Sequence, residues 1–262
     1  DTFNVAVGYQ AGVAVTTGVR QTLIGGLAGD ALTTALDNVA VGYAALGAET
    51  SGARNVAIGS QALLAQNVNG GSAVYNTAVG YAAGAAVTTG IDNTLIGGLA
   101  GDVLTDADYN VALGARALSS DTLGSTSVAI GRSALESQNF TTATNSFNTA
   151  VGYVAGVAVT TGTQNTLIGG IAGDAITDAD GNVAVGYASL TTNVLGSNSV
   201  AIGRNALNAQ NPATATDMYN VAVGNNCGEA ITTGINNTLI GGLVGDCLLY
   251  TSPSPRDRQK SR

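Results

Sequence analysis

The sequence predicts an all-β protein, a parallel β-solenoid or β-roll of 14 rungs, and three observations carry that expectation. A glycine-centred core returns along the chain at Gly8, Gly25, Gly42 and Gly59, then at Gly80, Gly97, Gly114 and Gly131, and on through Gly152, Gly169, Gly186, Gly203, Gly224 and Gly241. The intervals follow a 17-17-17-21 residue pattern and then start again, which is a 72-residue super-repeat. The triplet before each glycine, such as Val5-Ala6-Val7 or Val56-Ala57-Ile58, is short, rich in β-branched residues and bounded by turn-forming Asn and Gly. Helical repeats need more than about 30 residues per unit, so a 17-residue unit is one turn of a strand-built coil.

Each position of the rung has a physical task. The opening residue is Asn in eleven of fourteen rungs, with Gln21, Ser127 and Ser199 as the exceptions, and stacked rungs would align these side chains in an amide ladder at one corner. The three strand residues follow. The fifth residue is always Gly, as a sharp turn or a positive φ requires. The eighth is Ala in eleven rungs, small enough to let opposite walls approach. The ninth alternates in pairs, Gly12 and Gly29, then Leu46 and Leu63. Stacked ~4.8 Å apart, fourteen such rungs form a rod of roughly 65–70 Å.

Along the strand, Val5 and Val7 share one face and Ala6 the other. The second face is apolar too, reading Ala6, Leu23, Ala40, Ala57 and then Ala78, Leu95, Ala112, Ala129. A strand apolar on both faces is covered on both. The coil interior covers one, and the Ala6/Leu23 face is expected to meet other copies of the chain, most simply in a homotrimer.

Composition excludes several functions. The 262 residues contain no His, the commonest general base and metal ligand, so Ser-His-Asp and Cys-His catalysis and zinc-finger sites fall away. Charged residues are 10% and hydrophobics 45%, against the composition of a disordered chain. The net charge of −8 repels phosphate backbones, so no nucleic-acid partner is expected. No apolar run is long enough for a membrane-spanning helix, so no membrane insertion is expected.

The units NTAVGYAAGAAVTTGID from Asn76 and NTAVGYVAGVAVTTGTQ from Asn148 resemble the NTAVGYxAL…NTTG repeats of bacteriophage tail-fibre proteins, which often precede a self-cleaving chaperone domain. The SVAIG units at Ser127 and Ser199 are similar also to the head repeats of trimeric autotransporter adhesins. The likeness spans residues 3–246, and the 17-residue spacing favours the fibre type, because the adhesin repeat is shorter. Both families imply a trimer and attachment to a host or surface, on a virion or at the cell surface. The resemblance implies a structural fibre shaft that spaces and presents a distal host-receptor-binding tip. A bacterial adhesin head is the alternative.

Residues 1–246 are expected to form the shaft, a fragment uncapped at both ends. The run CLLYTSPSPRD from Cys247 resembles a translated sequencing-library adapter, and residues 247–262 are expected to be a non-native disordered tail. That tail holds the only Lys and four of the nine basic residues. Without it, five Arg stand against sixteen acids, a net charge of −11.

Four groups of residues are candidates for binding. The 21-residue rungs insert four residues at one corner, giving the loops 67–74, 139–146 and 211–218, which vary while the flanking rungs barely do. Asn67, Asn69, Asn139, Thr141, Thr142, Asn211, Thr214 and Thr216 in them are candidate contacts for a host-cell receptor or glycan, set against loops that drift because nothing constrains them. Asp174, Asp178, Asp180 and Asn182 have the oxygen spacing of a calcium turn. The first copy has Thr34 and Leu36 in place of the second and third acids, so solvated turn acids are the stronger expectation and no metal or other cofactor is assigned. Thr16, Thr33 and Thr50 form a ladder interrupted at Asn67, as do Thr88, Thr105 and Thr122 at Asn139, which raises ice binding as a third function. Tyr9, Tyr43, Tyr81, Tyr153 and Tyr187 follow the core Gly and suit sugar stacking or packing between chains. The acids repeat in turns with no unique pair, so no catalytic residue is expected and the protein is expected not to be an enzyme.

Overall fold

A computed structural model describes residues 2–245; the tail from Cys247 onward lies outside the described residues. Fourteen strands of three residues, from Val5–Val7 and Thr22–Ile24 to Val221–Val223 and Thr238–Ile240, form one sheet in which each pairs in parallel with the next. The register never slips: Val5, Ala6 and Val7 face Thr22, Leu23 and Ile24, and Val200, Ala201 and Ile202 face Val221, Ala222 and Val223 across the longer rung. The chain is therefore a β-solenoid of about 14 turns, with one strand of the long sheet per turn. No helix occurs among the described residues.

Each rung closes through backbone that most residues avoid. In the third rung Ala44, Leu46 and Arg54 take φ of 53°, 54° and 64°. A left-handed conformation costs a residue with a Cβ about 1–2 kcal/mol. Here it delivers each N–H to a neighbouring rung: Ala44 donates to the Gly26 carbonyl, Leu46 to that of Ala62 and Arg54 to that of Leu36. The invariant glycine is constrained twice over. Gly42 has φ 133°, and a Cβ there would lie 2.5 Å from the carbonyl oxygen of Gly59 on the next rung.

The opening Asn residues form the expected ladder. Asn93 Oδ1 accepts the Asn110 N–H at 2.9 Å, and Asn93 Nδ2 donates to the Ala107 carbonyl of its own rung at 2.7 Å. Asn110 repeats both bonds, with the Ser127 N–H and the Gly124 carbonyl. Ser127 is too short to continue. Ser146 fills the gap, its hydroxyl 2.6 Å from that of Ser127 while accepting the Asn148 N–H.

The core corrects the expected assignment of faces. The middle strand residue points into the coil: Leu23, Ala40, Ala57, Ala78, Leu95, Ala112 and Ala129 are buried. The coil is thin, and where most rungs offer Ala the opposite wall comes close. The bulkier first and third residues face outward, so the uncovered apolar face is that of Val39, Val41 and Ile58, not that of Ala6 and Leu23.

Leucine and glycine alternate to fill one core slot. Where the ninth residue is Gly, the twelfth is apolar, as in Gly29 with Leu32 and Gly101 with Leu104. A Cβ on Gly29 would collide with Leu32 Cδ1 at 2.6 Å and Leu23 Cδ2 at 2.9 Å. Where the ninth is Leu, as at Leu46, Leu63, Leu118 and Leu135, the slot is full and the twelfth residue is polar.

Candidate functional site

Two surfaces hold the chemistry that distinguishes one rung from another. The first is the outward face of the long sheet. Ile58, Ile168 and Ile202 each keep 38% of their surface exposed. Aromatic side chains border it, Phe3, Tyr75, Tyr109, Phe147 and Tyr219 on one margin and Tyr9, Tyr43, Tyr81, Tyr153 and Tyr187 on the other, all exposed. Each residue of the first set immediately precedes the opening Asn of an odd-numbered rung counted from Asn4, and each Tyr of the second set lies within an odd-numbered rung. The even rungs carry Gly, Ser or Arg after the core glycine, and Tyr43 and Tyr187 lean over the Gly of the preceding rung. A Cβ on Gly26 would lie 3.7 Å from Tyr43 Cδ2, and one on Gly170 3.5 Å from Tyr187 Cδ2. A Cβ on Gly98 would meet nothing, since the next rung has Ala115 instead of Tyr. Arg54 and Arg132 lie over the rings of Tyr75 and Tyr153, 5.5 Å and 5.8 Å from the centroids. Arg54 also donates to the Tyr75 hydroxyl at 3.0 Å.

The second surface is the row of inserted loops. Asn69, Asn139, Thr141, Thr142, Asn211 and Thr214 are exposed, and Asn67 and Thr216 half-buried. The structure thus places the receptor candidates on one recurring corner. Asn67 and Asn139 also end the Thr ladder, accepting the hydroxyls of Thr50 and Thr122 at 3.0 Å. The other ladder hydroxyls run along the rod: those of Thr16, Thr33, Thr88 and Thr105 donate to carbonyls of the next rung.

Beneath each loop lies a buried polar pair that the sequence did not single out: Glu49 with Gln66, Asp121 with Gln138, and Asn193 with Gln210, all with no exposed surface. Glu49 Oε1 accepts the N–H groups of Thr50, Ser51 and Gly52, and Oε2 those of Val68 and of the Gln66 side chain. Asp121 Oδ1 accepts from the Gly124 and Phe140 backbones. Burial pushes the Asp121 carboxyl above the usual carboxylate range, and the bonds from Gln138, Phe140, Gly124 and Leu123 pull the other way. The third copy is neutral. Where Val68 and Phe140 give a backbone N–H to the acid, the loop has Pro212, which has none, and residue 193 is Asn. Its Oδ1 accepts the Gly196 N–H and its Nδ2 donates to the Gly196 carbonyl. The signal was present in the twelfth position, which reads Leu32, Glu49, Gln66, then Leu104, Asp121, Gln138.

The calcium candidates do not share one centre. Asp178 accepts the Thr160 and Thr161 hydroxyls, which lower its pKa, and Asp180 accepts from the backbone and hydroxyl of Thr163. Asp174 accepts the Thr191 hydroxyl. Asn182 is buried in the corner ladder, bonded to the Ser199 N–H and the Gly196 carbonyl. Among the described residues no three His, Cys, Asp or Glu side chains are grouped to hold a metal. Cys227 is buried at a position usually held by Ala. No family model, no curated protein and no solved structure matches the chain.

Proposed function

We propose that the chain is the structural shaft of a virion tail fibre, a homotrimeric rod that spaces and presents a distal host-receptor-binding tip. The supporting observation is the apolar outer face that runs along the rod with none of the described residues over it. About 65–70 Å long and about 10 Å wide between its aromatic margins, it offers on the order of 700 Å², close to the ~800 Å² per partner typical of a stable interface. Its Val, Ile and Tyr side chains suit burial against a second and third copy. Nearly constant local sequence also supports a mechanical task, since each rung adds length by the same bonds. The loops face solvent at every fourth rung and favour the second function, an adhesin head whose own surface binds a receptor or glycan.

The mass of residues 1–246 in solution by light scattering is the test of assembly. Three times the chain mass is expected, and a monodisperse monomer would overturn it. Antibodies raised against the rod separate the two origins: they should decorate fibres on virus particles in the source sample, whereas decoration of bacterial surfaces alone supports the adhesin. Thermal hysteresis by the purified rod would instead indicate ice binding.

A further inference from the structure

The three loops differ in how firmly they are held. The second pairs Thr144–Asn145 in parallel with Gly124–Ser125, and the third pairs Thr216–Asp217 with Gly196–Ser197. The first has a single bridge, Ala53 to Ala73, and a 3.4 Å bond from the Gly71 N–H to the Ser51 hydroxyl. At its tip stands Asn69-Gly70, the sole Asn-Gly pair of the sequence; the aligned residues are Thr141-Thr142 and Ala213-Thr214. Asn69 and Gly70 are exposed, Gly70 has φ 98°, and nothing lies within 4 Å of where its Cβ would be. Among the described residues neither the Asn69 side chain nor the Gly70 N–H has a hydrogen-bond partner in the chain.

We propose that Asn69 is a site of spontaneous covalent modification, deamidating by attack of the Gly70 backbone nitrogen on its side-chain carbonyl carbon. A bond forms between Gly70 N and Asn69 Cγ, and the side-chain nitrogen leaves as ammonia, taking up the proton lost from the Gly70 amide. Water then opens the resulting succinimide at one of its two carbonyls. One opening gives Asp. The other gives isoaspartate, with the main chain routed through the former side chain.

The reaction needs a free side chain, a free N–H on the next residue and no Cβ in the way of the ring. The ladder asparagines lack the second and third. Asn55 is followed by Val56, whose N–H donates to the Asn76 carbonyl at 2.9 Å, and Asn182 by Val183, whose N–H donates to Ser199 at 2.8 Å. Asp180-Gly181 has the sequence for the related isomerisation but not the freedom, because the Gly181 N–H donates to the Thr163 carbonyl at 3.0 Å and Asp180 holds Thr163. The product is a loop with an added carboxylate in one super-repeat only, so the three candidate receptor loops become chemically distinct as the molecule ages.

The whole folded chain, aged in mildly alkaline buffer made with heavy-oxygen water, provides the test. Trypsin cuts after Arg54 and Arg116, and the peptide 55–116 carries Asn69 together with Asn55, Asn67, Asn76, Asn93 and Asn110. Solvent oxygen is expected at residue 69 alone, with part of the product a substrate for an isoaspartyl methyltransferase, and with Asp180 unchanged. Gly70→Ala should slow the reaction several-fold and Asn69→Gln abolish it. Three results would overturn the proposal: Asn69 intact over the time in which the denatured chain reacts, a ladder asparagine reacting first, or Gly70→Ala reacting at the original rate.

Discussion

The side-chain amide of Gln138 donates to Asp121 Oδ2 at 2.6 Å, one rung step away and wholly inside the coil. The groups around that carboxylate are neutral: Gln138, the Gly124 and Phe140 backbones, and Leu104 at the same position of the preceding rung. Burial raises the Asp121 pKa, so the folded chain holds the proton more readily than the unfolded chain does. The stability this group contributes is fully present below the ordinary Asp pKa and is lost as pH rises through the raised value. Asp178 acts in the opposite sense, because the Thr160 and Thr161 hydroxyls lower its pKa and its contribution is lost as pH falls. The variant Asp121→Asn isolates the first effect. Its melting temperature relative to the parent chain should increase from acidic to neutral pH, and an unchanged difference across that range would remove the buried charge from the account.

The third super-repeat offers the complementary exchange. Asn193→Asp would place a carboxylate where Pro212 supplies no N–H, a buried acceptor short of a donor. A loss of about 1–3 kcal/mol at neutral pH is expected from denaturant unfolding. Adding Pro212→Val, the counterpart of Val68, should restore part of it. The double-mutant cycle measures the coupling, and strict additivity would mean that the loop N–H does not serve the acid.

Core volume makes a third case. Gly29→Leu puts two side chains into the slot already filled by Leu32, at a residue with φ 55°. Overpacking of this kind costs about 1–3 kcal/mol. Gly29→Leu combined with Leu32→Gln copies the arrangement of Leu63 and Gln66 and should recover stability, as seen in the urea midpoint.

For the ladder, Asn93→Ala leaves the Asn110 N–H and the Ala107 carbonyl without their partner inside a buried corner. A cost of about 2 kcal/mol or more is expected. Hydrogen exchange should show the effect concentrated at Asn110 and its neighbours, and a uniform loss of protection over the rod would argue against a local role.

Much of this architecture was legible because a one-dimensional stack turns sequence period into structure directly. The strand triplets, the positive φ at Gly42 and Gly59, and the Asn ladder follow from residues that recur at one position. The choice of inner face was not legible from alternation, because Ala and Val are both apolar; the narrow bore decides, and bore width comes from the opposite wall. Left-handed Leu46 and Arg54 were equally hidden, since nothing in a leucine or an arginine announces a positive φ; their neighbours' carbonyls impose it. Glu49 and Asp121 escaped notice because a lone acid in a turn reads as solvated. Their burial depends on Leu46 and Leu118 occupying the apolar slot beside them.

The strand pairing from one rung to the next has a mechanical consequence. Pulled along its axis, the rod loads all the ladder bonds between two adjacent turns together, so it resists as a stiff body until one turn gives way. A turn that lets go then releases its whole contour, about 56–61 Å for a 17-residue rung and about 69–76 Å for a 21-residue rung. Under tension the molecule would act as a fuse, lengthening in sawtooth steps whose sizes repeat in threes and ones.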